Sequence, residues 1–289
     1  MAYPLLESPL ADVYSLDGDY ISSDSEQASE LRLPTDDVTY YETVRVKKGI
    51  LLFLEEHLAR LQRSVAGIEA FDVDMEMIER KAYSYLNDNG FEDLDGNLRI
   101  VLTKTHLLIY VCEGNIPSEE AFSRGVDTMT LKWERVDPNI KVYRGDYKKA
   151  VADTFAKENE FGHPYEILLT DNEGRLYEGS KSNLFVIKGD KVYSAPDDKI
   201  LLGITRKRVL SSLDMAGGKL ETGMLTKEEI LSSKECAVFV SSTPFDILPI
   251  RSIDGTVIDS ADNELLQRIA SCYRKMSDDY IDNKLKEVR

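Results

Sequence analysis

The amino-acid sequence predicts a mixed α+β protein with two domains. The chain has 289 residues, of which 42% are apolar, and this length allows two domains of roughly 150 residues, each with its own core. Strand-like and helix-like segments follow one another without the regular order of a βαβ series. Residues 113–117 break both periodicities, so we expect an N-terminal domain over 1–116 and a C-terminal domain over 117–289.

The charge balance excludes several classes of partner. Acidic side chains outnumber basic ones by 52 to 36, and the formal net charge is −16. Such a surface repels nucleic acids and anionic lipid headgroups, so we expect neither as a partner. The first forty residues contain nine acidic side chains and one basic side chain, and we interpret much of this segment as solvated loop and strand edge.

Cysteine usage and hydropathy predict a cytoplasmic protein. Cys112, Cys236 and Cys272 are far apart and lack CxxC spacing, so we expect neither a disulfide framework nor a metal site. The N-terminus lacks the pattern of a signal peptide, and the longest apolar runs are too short to span a membrane.

The N-terminal half has the pattern of a hairpin followed by helices and strands. Residues 40–46 alternate as a half-buried strand, and Lys48-Gly49 predicts a turn into the apolar run 50–54. After Glu55, apolar residues recur three or four positions apart, which predicts an amphipathic helix. Its apolar positions are Leu58, Leu61, Val65 and Ile68. A second helix is predicted over 75–87, and strands over 98–103 and 107–112.

The C-terminal half is predicted as strands interspersed with helices. The predicted strands are 128–132, 166–170, 184–187 and 191–194. The predicted helices are 148–159 and 205–213, and Thr205 is the expected N-cap of the second.

Two basic side chains are candidates for a functional site. Arg60 lies off the apolar stripe of the first helix and, taken alone, has the pattern of a surface arginine; we interpret the neighbouring His57 as structural. Lys141 lies in an extended segment between Ile140 and Val142, where burial of its stem would favour a reactive neutral amine. A structural lysine with a snorkelling side chain is the alternative.

Two further segments combine polar groups with glycine. In EGSKSNLF, Glu178 ends a short strand before an abrupt bend, and a solvated carboxylate is the plain alternative. In LLGITR, a glycine-containing loop leads into a helix at Thr205. Backbone N–H groups and a hydroxyl at a helix start can bind an anion, although a simple helix cap has the same pattern.

The order and spacing of these four segments resemble the class IV aminotransferases, fold-type IV enzymes that depend on pyridoxal 5′-phosphate. The resemblance extends over residues 40–249, and EGSKSNLF followed by LLGITR is its most specific part. It implies an α+β fold like that of D-amino-acid aminotransferases, with a smaller N-terminal α/β domain and a larger, barrel-like C-terminal domain. It also implies a homodimer, because family active sites are completed by a loop from the neighbouring subunit.

The resemblance gives each candidate residue a role. Lys141 would form a Schiff base with the cofactor and move a proton during catalysis. Glu178 would keep the pyridine nitrogen of the cofactor protonated. The cofactor phosphate would be bound by Arg60 and by groups in two loops, namely Ile204, Thr205, Ser242 and Thr243.

Departures from the family pattern leave the substrate undetermined. Pro244 has no N–H to offer to a substrate carboxylate. Asp146 occupies the position where aminotransferases often have a tyrosine after the lysine, and Tyr143 and Tyr147 are its possible substitutes. Lys104-Thr105-His106 replaces a common Arg-Gly turn.

The resemblance implies an aminotransferase that moves an amino group between an amino acid and a 2-oxo acid, with 2-oxoglutarate as an expected partner. The alternative is a 4-amino-4-deoxychorismate lyase, which eliminates pyruvate with the same lysine and carboxylate. A non-catalytic family member is a third interpretation, opposed by the complete set of candidate residues. Lys148 and Lys149 are rival attachment sites, but they begin a predicted helix and are expected to be solvated.

Overall fold

The chain forms two compact units in a computed structural model that describes residues 3–66, 74–114, 116–233 and 235–287. The first unit comprises Met1–Ile116, Ile140–Asp146 and Ser277–Arg289, and the second comprises Pro117–Asn139 and Tyr147–Met276. The first unit thus includes a short segment, 140–146, from beyond the predicted linker. The two predicted domains stay a prediction, and Ile68 and Asn115 lie outside the described residues.

The first unit is built on an antiparallel sheet. Its strands are β1 (Val13–Leu16), β2 (Asp19–Ser22), β3 (Tyr40–Lys47), β4 (Ile50–Leu51), β5 (Gly96–Leu102) and β6 (Leu107–Cys112). The helices of its N-terminal part are α1 (Glu26–Leu31), α2 (Leu54–Val65) and α3 (Met75–Asp88). The 6-stranded sheet has the order β2-β1-β6-β5-β3-β4.

Both faces of this sheet are buried, because successive residues of a strand point to opposite sides. On β5, Leu98 and Ile100 belong to a core that also contains the apolar faces of α2 and α3. Val101 belongs to a different core, which includes Tyr14 of β1 and Leu31 of α1. The interpretation of much of the first forty residues as solvated loop and strand edge is confirmed, since many of these residues are exposed and β2 is an edge strand, although the segment also supplies buried residues of β1 and α1.

The predicted hairpin is confirmed, but the apolar run after it is not a single strand. Lys48 and Gly49 have φ angles of 51° and 69°, as a two-residue hairpin turn requires. β4 ends at Leu51 and α2 begins at Leu54, so the run is divided between strand and helix. The predicted apolar stripe of α2 is buried at Leu58, Leu61 and Val65.

The second unit is built on a larger sheet. Its strands are β7 (Val126–Lys132), β8 (Glu166–Thr170), β9 (Arg175–Gly179), β10 (Asn183–Lys188), β11 (Lys191–Ser194), β12 (Lys219–Thr222), β13 (Leu225–Thr226), β14 (Cys236–Ser242), β15 (Asp246–Ile253) and β16 (Thr256–Val257). The remaining helices are α4 (Glu119–Arg124), α5 (Gly145–Phe155), α6 (Ile204–Ala216), α7 (Lys227–Leu231) and α8 (Glu264–Glu287). A 3₁₀ turn covers Ser260–Asp262.

Strands of this sheet close into a ring. The order β10-β14-β15-β7-β8-β9 is completed by pairing of β9 with β10, through Glu178 and Asn183. Leu184 and Val186 of β10 face one core, whereas Phe185 and Ile187 face a second core that contains α6. The expected barrel-like second half is confirmed, and Glu178 lies at the point where the ring closes.

The predicted strands of the second half are confirmed, with larger differences at the helices. α5 begins before the predicted helix and ends at Phe155. α6 begins at Ile204 with Gly203 as N-cap, so the prediction of Thr205 as N-cap is wrong. A Cβ on Gly203 would clash with the amide oxygen of Asn183, so glycine suits this close approach. The long helix α8 was not predicted.

Candidate active site

Lys141 lies in the 140–146 segment of the first unit, beside the start of β3. The part of this segment around Val142 is extended, as predicted, and its last two residues begin α5. Val142 forms an isolated antiparallel bridge with Tyr40, and the backbone N–H of Tyr143 donates to the carbonyl of Thr39 at 3.0 Å. These contacts fix the position from which the lysine side chain leaves the backbone.

The side chain of Lys141 contacts an aromatic ring. Its Nζ lies 4.8 Å from the ring centroid of Tyr41, and Tyr41 stacks on Tyr143 with the centroids 4.3 Å apart. Ile140 is 37% exposed, whereas Lys141 and Val142 are half-buried, so the expected burial of the lysine is partial. The tyrosine ring provides packing for the amine, because an ammonium group is attracted to the face of an aromatic ring.

The rival lysines lie on α5. Lys149 has a side chain that is 58% exposed and pairs with Asp153 at 2.5 Å, one helical turn away. Lys148 is half-buried, so the expectation of two solvated lysines is confirmed for Lys149 alone.

A largely buried arginine, Arg99 of β5, contacts the same tyrosines. Its guanidinium carbon lies 5.0 Å from the centroid of Tyr41, and its Nη1 donates to the Tyr143 hydroxyl at 3.1 Å. That hydroxyl donates to Oε2 of Glu7 at 3.0 Å. Burial alone would lower the pKa of Arg99, but interactions with Tyr143 and other neighbours outweigh it and raise the pKa, so the side chain is a permanent cation.

Arg60 is buried in a pair with Glu42. Its Nε donates to Oε1 of Glu42 at 2.8 Å, and its Nη2 donates to Oε2 at 2.5 Å. Nδ1 of His57 lies 2.8 Å from the same Oε2. The pattern of a surface arginine is therefore misleading, because this face of α2 lies over β3, where Glu42 is the partner. His57 has the structural contacts that we expected of it.

The charges in this triad of Glu42, His57 and Arg60 balance. Burial would raise the pKa of Glu42, but Arg60 and His57 outweigh it and hold the pKa well below its usual range. Burial lowers the pKa of His57, and the cations Arg60 and Lys141 act in the same direction against Glu42. At neutral pH the triad therefore contains one anion, one cation and a neutral imidazole.

Glu178, in the second unit, is a buried carboxylate with contacts from separate segments. Its side chain is 2% exposed, and its Oε2 lies 2.6 Å from Nε of Arg135. Its Oε1 accepts the backbone N–H of Leu201 at 3.0 Å and lies 3.5 Å from the amide nitrogen of Asn183. The alternative interpretation as a solvated strand-end carboxylate is wrong.

Arg135 links Glu178 to a buried tyrosine. Its Nη2 donates to the Tyr147 hydroxyl and to the Ser180 carbonyl, both at 3.3 Å, and its guanidinium lies 5.0 Å from the centre of the Tyr147 ring. The Tyr147 hydroxyl donates to the same carbonyl at 2.6 Å. Burial raises the pKa of Tyr147 far above its ordinary value, so the phenol is neutral and can donate.

The turn after Glu178 is held by a second buried carboxylate, Glu166. The hydroxyls of Ser180 and Ser182 donate to it at 2.6 and 2.8 Å. Ser242 donates from its hydroxyl to the carbonyl of Lys181 at 2.7 Å, which ties the end of β14 to this turn. Ser242 thus has a backbone partner, which the sequence did not indicate.

The start of α6 provides a group of donors suited to an anion. Ile204 and Thr205 are its first residues, and the first N–H groups of a helix have no intrahelical acceptor. The hydroxyls of Thr205 and Thr243 lie 3.5 Å apart, so the loop after β14 reaches the helix start. Ser241, at the end of β14, has a buried hydroxyl without a hydrogen-bond partner among the described residues.

Among the described residues, no three His, Cys, Asp or Glu side chains are grouped to hold a metal ion. In the same part of the chain, no helix is long and apolar enough to cross a membrane.

The predicted site residues fall into two sets. Lys141 and Arg60 belong to the first unit, where Lys141 is close enough to His57 to lower its pKa. The second unit contains Glu178, Ile204, Thr205, Ser242 and Thr243.

Several polar residues of these sets were not predicted. Glu42 lies on the core-facing side of β3, two positions from Tyr40 and from Val44. An acid at an apolar position of an alternating strand is a signal that the sequence contains. Arg135 contacts Glu178 across 43 positions of sequence, where no local period connects the two.

The comparisons with known proteins agree with this arrangement. The family model for "Amino-transferase class IV" matches residues 39–253. A D-alanine aminotransferase of Bacillus licheniformis is 30% identical over 240 residues, which cover 76% of this chain and 80% of that protein. A branched-chain-amino-acid aminotransferase of Pseudomonas aeruginosa is 30% identical over 179 residues, covering 61% and 58%.

A solved structure supports the same fold. It is the branched-chain aminotransferase of the thermophilic archaeon Thermoproteus uzoniensis with norvaline. Its TM-score is 0.75 at 23% identity, over 92% of this chain and 94% of that one. The family match extends over most of the chain, and the fold agrees with it. The chain therefore belongs to the class IV aminotransferases.

Proposed function

We propose that this protein is an aminotransferase that uses pyridoxal 5′-phosphate to move an amino group between an amino acid and a 2-oxo acid. The observation that carries the proposal is the pair of polar sites in the second unit. One is the buried carboxylate of Glu178, and the other is the group of donors at the start of α6. These sites suit the two polar ends of the cofactor, its ring nitrogen and its phosphate.

The donors at the start of α6 fit the phosphate chemically. Backbone N–H groups at Ile204 and Thr205 favour an anion, since they carry the positive end of the helix dipole. The hydroxyls of Thr205 and Thr243 add neutral donors, and Arg60 would add a guanidinium. Ser242 would act through the loop, because its hydroxyl binds the Lys181 carbonyl.

Glu178 would hold a proton on the ring nitrogen. Pyridoxal 5′-phosphate, when bound, supplies an electron-withdrawing ring that stabilises negative charge at the substrate Cα. Arg135, 2.6 Å from Glu178, favours the ionised carboxylate that this task requires. Tyr147, which shares Arg135 and the Ser180 carbonyl, is the substitute we propose for the family tyrosine that Asp146 replaces.

Lys141 would attach the cofactor covalently and carry the proton that leaves the substrate Cα. Its position over Tyr41 holds the amine on one side of a tyrosine stack, which limits its motion. A substrate carboxylate cannot be bound by the backbone of Pro244, which lacks an N–H.

Two further proposals concern the location and the assembly of the protein; the first follows from cysteine usage and hydropathy, and the second from the family resemblance. We propose that the protein is a cytoplasmic homodimer, in which a loop of the neighbouring subunit completes each active site. Sedimentation of the active holoenzyme at micromolar concentration is expected to give twice the mass of the 32.7 kDa chain. Full activity in a monomeric species would contradict the dimer.

A donor screen tests the function. Purified holoenzyme is incubated with single L- and D-amino acids without an acceptor, and conversion of the bound cofactor to its amino form is followed spectroscopically. We expect at least one donor to convert it and a 2-oxo acid to restore it. 4-Amino-4-deoxychorismate is included, because pyruvate release from this compound alone would favour the lyase instead.

A further inference from the structure

The carboxylate of Glu7, in the N-terminal segment, lies beside the cation of Arg99, which contacts the tyrosines next to Lys141. Oε2 of Glu7 accepts the Tyr143 hydroxyl at 3.0 Å and lies 4.0 Å from Nη2 of Arg99. The same hydroxyl accepts from Nη1 of Arg99 at 3.1 Å. Glu7 therefore lies at ion-pair distance from Arg99 and shares the Tyr143 hydroxyl with it.

The backbone holds Glu7 firmly in this position. Its N–H donates to the Tyr110 hydroxyl at 3.0 Å, and that hydroxyl donates to the Glu7 carbonyl at 3.2 Å. Tyr3 stacks on Tyr143 with the centroids 5.4 Å apart. Because these contacts hold the segment, the Glu7 carboxylate stays next to Arg99.

The pair is partly shielded from water. The side chains of Arg99 and Glu7 are 15% and 29% exposed. Among the described residues, Nε of Arg99 is buried without a hydrogen-bond partner, so the cation retains donor capacity. In such a site charge matters more than at an open surface, because solvent screening is weaker.

Arg99 and Lys141 contact the same ring. Their charged groups lie 5.0 and 4.8 Å from the centroid of Tyr41. A substrate at the Lys141 amine would therefore have its side chain close to the Arg99 cation. The attraction of Arg99 for a carboxylate on the substrate side chain depends on the negative charge that already lies beside Arg99.

We propose that Glu7 is a specificity-determining residue, whose carboxylate on Arg99 makes the site select amino acids and 2-oxo acids that lack a second carboxylate. This inference rests on the proposed function. A carboxylate on a substrate side chain would find Arg99 already paired with Glu7. The negative charge of Glu7 would also repel that carboxylate. Neutral side chains meet no such opposition, so monocarboxylic substrates are favoured over 2-oxoglutarate, the partner that the family resemblance implies.

The test compares acceptors that differ in one carboxylate. The ratio of kcat/KM for 2-oxoglutarate to that for 2-oxobutanoate is measured for the wild type and for Glu7→Gln, which keeps the shape and removes the charge. We expect the ratio to rise by about tenfold, within the range for a charge-assisted contact that is partly screened. Glu30→Gln is the matched control, since Glu30 is an exposed acid of the same N-terminal segment and should leave the ratio unchanged.

A binding measurement separates this inference from the proposed function. Calorimetry with glutarate and butanoate needs no turnover, and Glu7→Gln should bind glutarate about tenfold more tightly with butanoate unchanged. In the Glu7→Gln, Arg99→Gln double variant the gain should disappear. An unchanged ratio and unchanged glutarate affinity in Glu7→Gln, or a gain that persists without Arg99, would overturn the inference. Absence of amino transfer in every variant, with the glutarate effect present, would overturn only the proposed function.

Discussion

Each unit contains a buried glutamate paired with an arginine, and the two pairs differ in the origin of their contacts. Glu42 receives both partners, His57 and Arg60, from the single helix α2. Glu178 receives Arg135 from the loop after β7 and a backbone N–H from Leu201, before α6. The first pair attaches one helix to one strand, whereas the second joins separate loops at the closing point of a barrel.

This difference indicates that the two buried carboxylates have different roles, although Arg60, the partner of Glu42, is itself a proposed phosphate ligand. A carboxylate that connects a helix to a sheet contributes to stability, and its loss leaves a buried cation uncompensated. A carboxylate surrounded by loops at a barrel closure has neighbours that can face a ligand. We therefore expect substitution of Glu42 to affect stability and substitution of Glu178 to affect turnover.

The largest expected effect is on stability. Glu42→Gln should lower the free energy of unfolding by about 3 kcal/mol, because breaking a fully buried ion pair leaves Arg60 without its counterion. Chemical denaturation of the apoprotein measures the loss. The matched control is Asp95→Asn, which removes the exposed carboxylate paired with the buried Arg45 on the same strand and should cost far less. Equal losses in the two variants would contradict the distinction.

Glu178→Gln should preserve the fold and the bound cofactor but lower kcat by roughly ten- to a hundredfold. Losing a charge-assisted contact in a shielded site is worth roughly 1.5 to 3 kcal/mol, and about 1.4 kcal/mol is tenfold in rate. Steady-state kinetics on the cofactor-loaded variant gives the answer. Unchanged turnover would make Glu178 a structural residue like Glu42 and would contradict the difference between the two pairs.

The triad in the first unit should give the protein a pH-dependent stability. Because the pKa of His57 in the folded state lies below its ordinary value of 6.5, the unfolded chain takes up this proton first as the pH falls. The free energy of unfolding should therefore decrease as the pH falls from about 7 toward about 5, and His57→Asn should remove part of this slope. His106→Asn, at a more exposed site, is the control. An identical slope in His57→Asn and the wild type would show that His57 does not titrate as we expect.

The smallest effect concerns the phosphate donors. Thr243→Ala removes one hydroxyl, worth roughly 1 kcal/mol, and should weaken pyridoxal 5′-phosphate binding about fivefold. The affinity for pyridoxal, which lacks the phosphate, should stay the same. Equal weakening for both compounds would show that Thr243 does not contact the phosphate.

The sequence predicted features that have local signals. Lys48-Gly49 marks a turn because both positions need positive φ, and EGSKSNLF marks the end of β9 because glycine follows a short alternating strand. The division of the run 50–54 between β4 and α2 was not visible, since five apolar residues suit a buried strand and a helix start equally.

Partners distant in sequence could not be predicted. The apolar periodicity of α2 describes that helix alone, so it gives Arg60 the pattern of a surface residue. Arg60 is buried with Glu42, which lies on another element, β3. Glu7 lies in a segment that matched the family poorly, so its contact with Arg99 had no pattern to reveal it.

Lys141 is the residue that we propose attaches the cofactor. The most direct measurement is reduction of the purified holoenzyme with borohydride, followed by peptide mapping with mass spectrometry. We predict a single reduced pyridoxyl adduct on the peptide that contains Lys141, together with loss of the yellow colour. An adduct on Lys148 or Lys149, or none on a protein that still transfers amino groups, would contradict the account.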